Sequence, residues 1–213
     1  MFYKKLAVAV VAALSLQPAV YAESNADHTD MAKSATTQIP VPHWNYAGDT
    51  SPCHWGQLSE QYAACGTGKK QSPVNITVTE SVKSDLPILQ FNYAPIPLTI
   101  SNNGHTVLIA ADKAGNLTLD KDVYQLVQFH THVPSEEAIN GKKAEMVIHL
   151  VHKNAEGQLA VVAVLWEKGA ANPTLEAISK VLPKTPSDPK QLEVKIDLNQ
   201  LLPKDKNYFT YEG

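Results

Sequence analysis

Two apolar runs, Tyr124–His132 and Glu145–Val151, constrain this chain more than any other feature. Both have strand length, and both carry histidine at a telling repeat. Side chains on a strand alternate with a period of two, so His130 and His132 point to one face, roughly 7 Å apart at Cβ. His149 lies 17 residues after His132, in Met146-Val147-Ile148-His149-Leu150-Val151. If the second run pairs antiparallel to the first, a third imidazole reaches the same point. Three imidazoles in a half-buried sheet need hydrogen-bond partners or a metal. Three nitrogen ligands with a fourth position left to water is the pattern of catalytic zinc (Zn2+). His152 falls on the opposite parity from His149 and is expected to be structural. His43 and His54 have no ligand spacing.

The rest of the chain is punctuated in the same way. Strands are expected at Leu89–Tyr93, Leu98–Asn102, Thr106–Ala110, Leu117–Leu119, Leu159–Glu167, Glu193–Ile196 and Tyr208–Tyr211, beside the two histidine runs. Asn103-Gly104, Ala114-Gly115-Asn116, Asn140-Gly141 and Glu156-Gly157 supply turns between them. The expected fold class is β-rich α+β: a large, twisted, mainly antiparallel sheet with short peripheral helices. One helix is expected at Thr174–Val181 after Asn172-Pro173, and another near Leu58–Ala64.

With 213 residues the chain suits one domain with a sizeable core. A formal charge of −3, without charged blocks, gives no reason to expect nucleic acid or an anionic membrane as partner. Lys4 and Lys5, the apolar run Leu6–Leu16 and the small residues of Val20-Tyr21-Ala22 read as a signal peptide over 1–22, cleaved after Ala22. That run is too short to span a membrane. Export to the periplasm or medium, an oxidising compartment, follows. Residues 23–42 read as a flexible polar arm, and 43–213 as the folded domain. Cys53 and Cys65 are expected to be either both free or bridged to each other.

Gln128-Phe129-His130-Thr131-His132-Val133-Pro134-Ser135-Glu136 and His149-Leu150-Val151-His152 resemble the metal-site motifs of the α-class carbonic anhydrases, in their bacterial periplasmic branch. Trp44-Asn45-Tyr46, Lys70–Ile76, Asn102-Asn103-Gly104-His105 and Leu159–Val162 fall in the same order as in that family. The resemblance implies reversible hydration of carbon dioxide to bicarbonate and a proton, with zinc on His130, His132 and His149. It implies His105 as proton shuttle, Tyr46 and Asn103 along the proton path, and Gln128 as support for the first ligand. It further implies Val151 and Val161 in the wall of the substrate pocket, and Glu136 as a buried carboxylate that accepts from a threonine. Homodimers are common among such relatives, though no residue pattern here marks an interface.

Two departures from the family pattern stand out. An acidic residue commonly lies two before the third ligand; here that position is Val147. Glu145 shares its face but is too far along to take over, which leaves the third ligand to water or a backbone group. In addition, the run Asn207–Gly213 continues in the family into Ser-Leu-Thr-x-Pro-Pro-Cys, which carries that threonine, a cysteine partner for Cys65 and further strands. A chain without those strands is expected to be less stable and less active. The competing reading is a non-catalytic zinc-binding or interaction protein on the same scaffold. An unrelated zinc hydrolase lacks support, since no His-Glu-x-x-His helix is present.

Overall fold

The computed structural model describes residues 3–5, 9–14 and 43–213. The arm expected over 23–42 and the expected cleavage point after Ala22 lie outside the described residues. Two compact units emerge, divided between Gln71 and Ser72.

In chain order the strands are β1 (Tyr3–Lys5), β2 (Ala9–Leu14), β3 (Asn75–Ile76), β4 (Gln90–Tyr93), β5 (Ile96–Asn102), β6 (Val107–Ala110) and β7 (Gly115–Leu119). They continue with β8 (Asp122–His132), β9 (Ala138–Ile139), β10 (Lys142–Lys143), β11 (Met146–Lys153), β12 (Leu159–Lys168), β13 (Ser187–Ile196) and β14 (Tyr208–Tyr211). The helices are α1 (Trp55–Leu58), α2 (Ala63–Thr67) and α3 (Pro173–Ser179).

The main sheet runs β13-β5-β6-β8-β11-β12-β2-β14, with β7 also on β8, β4 on β7 and β1 on β12. Every pairing in it is antiparallel except β14 with β2. Over Ala9–Leu14, part of the apolar run expected in a signal peptide forms a strand between β12 and β14. A smaller sheet, β10-β9-β3, gathers three two-residue strands.

Alternation puts one face of the central strands into the main core. Phe129, Ile148, Leu150, Val162, Val164 and Trp166 are buried there, with Ile178 of α3. The other face carries a smaller cluster of Ile76, Ala144, Val147, Ala163 and Leu165. α3 begins where Asn172 caps it, its side chain accepting from the Leu175 amide, with Pro173 in the first turn.

The unit of residues 43–71 is built of short turns. The helix expected near Leu58–Ala64 is instead α1, a 3₁₀ turn at Glu60–Tyr62 and α2. Ser59 is extended, at φ −160° and ψ 150°, and its hydroxyl accepts from the Gln61 amide, so one helix ends and the next turn starts there. Gly56 lets the two helices meet, since a Cβ there would lie 2.6 Å from the Gly66 nitrogen. Cys53 and Cys65 are both exposed free thiols.

Candidate metal centre

Register brings the three histidines together. β11 lies antiparallel to β8 with His149 opposite His130 and Val147 opposite His132. β6 covers the other side of β8, with Leu108 opposite His130. The ring centroids of the three imidazoles are 5.1–5.2 Å apart. Each ring offers a nitrogen within 4.8 Å of the others'.

Hydrogen bonds fix which nitrogens face inward. His130 Nδ1–H donates to Gln128 Oε1 at 2.9 Å, leaving its Nε2 as a lone pair. His149 Nε2–H donates to Glu137 Oε1 at 2.8 Å, leaving Nδ1 as a lone pair. These two lone-pair nitrogens face each other at 3.4 Å. Neither has a proton to give the other, so the contact is repulsive unless a cation lies between them. Two nitrogens each about 2.0–2.1 Å from a tetrahedral zinc are about 3.3 Å apart, so the spacing fits. Burial, then His149 and His132, push the His130 imidazole down to about 3. Burial and His149 push His132 down to about 4. Both rings are therefore neutral near pH 7, the form that ligates a metal.

Two neighbouring carboxylates flank His149. Glu136 Oε2 lies 3.2 Å from His132 Nε2 and 3.9 Å from His149 Nδ1, at the front of the centre. Glu137 approaches from behind. With Val147 in the acidic position, the third histidine was expected to rely on water or a backbone group. The structure corrects this: the partner is the buried carboxylate of Glu137. No strand period marks it, because it comes from a turn; a second acid beside Glu136 was the signal available.

The remaining residues fall as follows. Val151 and Val161 are cross-strand partners, half-buried, on the His149 face of the sheet. His105 follows β5 in a turn closed by Asn103, whose Oδ1 accepts from the amides of His105 and Thr106, both at 2.9 Å. The Thr106 hydroxyl donates to the Thr131 carbonyl at 3.2 Å, tying this turn to the end of β8 that carries His132. Tyr46 belongs to the other unit, where its ring packs edge-on against Trp44 and Trp55. His152 faces away from the centre. A cavity of about 330 Å³ against α3, lined by Thr131 and Met146, lies on that opposite face too.

A sheet that converges three imidazoles on one point offers a site of nitrogen ligands that could hold one metal ion. The eukaryotic-type carbonic anhydrase family model matches residues 50–213. A carbonic anhydrase of Klebsiella pneumoniae is 43% identical over 185 residues, covering 84% of this chain and 74% of that protein. One from Neisseria gonorrhoeae is 44% identical over 183 residues, covering 85% and 71%. The α-carbonic anhydrase of Thermovibrio ammonificans, solved with sulfanilamide, superposes with a TM-score of 0.73 at 36% identity, covering 78% of this chain and 73% of that one. The chain belongs to the α-class carbonic anhydrase family.

Proposed function

We propose that this chain is an exported, zinc-dependent carbonic anhydrase that interconverts carbon dioxide and bicarbonate. The observation that carries the reading is the pair of facing lone-pair nitrogens on His130 and His149, with His132 beside them, in a chain of this family. His130 Nε2, His149 Nδ1 and a nitrogen of His132 would hold the ion. Bound there, zinc supplies a Lewis acid that makes a nucleophile of water near neutral pH.

The chain's own residues do the rest. Gln128 holds His130 in one tautomer. Val151 and Val161 give an apolar wall beside His149, suited to a small neutral molecule with no charge to pair. Glu136 presents an acceptor at the ligand nitrogens, fit to orient a hydroxyl proton. His105, on a turn anchored to the end of β8, carries the imidazole that passes the released proton to solvent. We place Asn103 along that route as a water-ordering group. Export by a signal peptide over residues 1–22 is read from Lys4, Lys5, the apolar run Leu6–Leu16 and the small residues ending at Ala22. Among the described residues no helix is long and apolar enough to cross a membrane.

Stopped-flow hydration of carbon dioxide by the zinc-loaded chain tests the reading. Turnover well above buffer, abolished by a chelator and by His149→Ala, is the expected result. Stoichiometric zinc binding without turnover would instead establish the non-catalytic zinc protein.

A further inference from the structure

Glu137 is an odd residue to find where it is. A glutamate is rarely fully buried without a partner that repays its desolvation. Here the residue is only 3% exposed. Its Oε1 accepts from His149, and its Oε2 is buried with no hydrogen-bond partner among the described residues. So a carboxylate has been taken out of water for one contact, to one imidazole.

The turn that carries it is built to hold it still. The Ser135 amide donates to the Ala144 carbonyl at 3.0 Å. The Ser135 hydroxyl, fully buried, donates to the Glu137 carbonyl at 2.7 Å and accepts from the Ala144 amide at 2.8 Å. Immediately afterwards Ala138 enters β9, paired with both β10 and β3. Position 147, two residues before His149 on its own strand, is given to the apolar cluster: Val147 is 0% exposed.

We propose that Glu137 is the positioning residue for the third metal ligand, acting from the turn after β8 in place of an acid at position 147. By accepting from Nε2–H it holds His149 in the tautomer whose Nδ1 faces the metal and makes that nitrogen a better donor. It touches neither substrate nor metal. This inference rests on the three histidines being the metal ligands, as read above.

The test measures zinc affinity of the full chain by competition with a chelating dye. Glu137→Leu, which removes the acceptor, is expected to weaken zinc binding by about 10–100-fold. Glu137→Gln keeps an acceptor and falls between. Adding Val147→Glu to Glu137→Leu moves the carboxylate to the strand and restores at least tenfold of the loss. Nitrogen NMR on the ¹⁵N-histidine-labelled, zinc-loaded parent reads the tautomer with no substitution: His149 should ligate through Nδ1 and keep a protected Nε2–H. Glu137→Leu binding zinc within twofold of the parent would overturn the proposal. So would a His149 that ligates through Nε2, which decides the matter even if a variant fails to fold. A parent chain that binds no zinc would instead overturn the metal reading itself.

Discussion

His149 and His152 stand three residues apart on β11, yet they face opposite sides of the sheet and differ in chemistry. His152 is fully buried in the main core. Its Nδ1–H donates to the Ala160 carbonyl at 3.0 Å, and its Nε2 accepts from the Tyr93 hydroxyl at 2.6 Å. Burial pushes the Tyr93 phenol well up, so that hydroxyl keeps its proton. Burial also pushes the His152 imidazole down, from 6.5 to about 4. Between those values the unfolded chain binds a proton that the folded chain refuses. Stability from this group is therefore complete above about pH 6.5 and is lost as pH falls towards 4, by roughly 3 kcal/mol. His130 and His132, in the metal-free chain, act in the same direction. Urea unfolding of the metal-free parent between pH 7 and pH 4.5 should show the loss, with a shallower dependence in His152→Leu. Equal slopes in the two proteins would contradict the assignment. Parity alone separates these two histidines in the sequence, because a period of two leaves no other choice. It says nothing about Glu137, whose burial and partner depend on a turn with no period at all.

At the scale of elements, the centre depends on β8 being held between two sets of neighbours, with its pairing to β11 shifting register beyond the Val151–Gln128 pair. Its first half, Asp122–Gln125, pairs with β7; its second half, Gln128–His130, pairs with β6, and β11 runs along most of the other side. β7 in turn pairs with β4, where Gly115 lies opposite Tyr93. Gly115 has φ +121°, and a Cβ there would lie 2.0 Å from the Asn92 carbonyl oxygen. Gly115→Ala is therefore expected to cost about 2–4 kcal/mol through backbone strain and displacement of β4. Zinc affinity of the folded variant should stay within threefold of the parent, because the ligands' half of β8 does not touch β7. Paired urea and zinc titrations check both parts; a large loss of affinity at unchanged stability would show that the two halves are coupled. The central strands were legible because β8 alternates and β11 and β12 are continuous apolar runs buried on both faces; the boundaries of β8, β11, β12 and β14 differ from expectation by two residues or fewer. β13 was expected only at Glu193–Ile196 yet starts at Ser187. Its first half is exposed, polar and contains Pro189, as an edge strand tolerates, so no apolar period marks it. β3, β9 and β10 are too short to carry a period. Their pairing with one another is nonetheless what fixes the turn bearing Glu137.

For the whole molecule, the folding equilibrium and the metal are one problem. His130 and His132 come from β8, His149 from β11, and Glu137 from the turn between them, so the centre exists only when these strands are in register. The folded metal-free chain holds two lone-pair nitrogens 3.4 Å apart and a carboxylate buried with a single contact. Each is unfavourable alone, and each is relieved by a cation at the centre. The unfolded chain keeps the same residues but not their geometry, so a zinc ion held by these three imidazoles would favour the native state. Ligand linkage then gives about 2.7 kcal/mol of stabilisation at free zinc 100 times its Kd. For a chain of this size that amounts to a rise in Tm of about 5–10 °C. Calorimetric melts of the parent with chelator and with buffered zinc measure the difference directly. His149→Ala loses one ligand and should show little or none of the rise; its metal-free Tm should also fall, since the buried Glu137 carboxylate loses its one hydrogen-bond partner. Identical melts with and without zinc would mean that the three imidazoles do not form a metal centre in the folded chain.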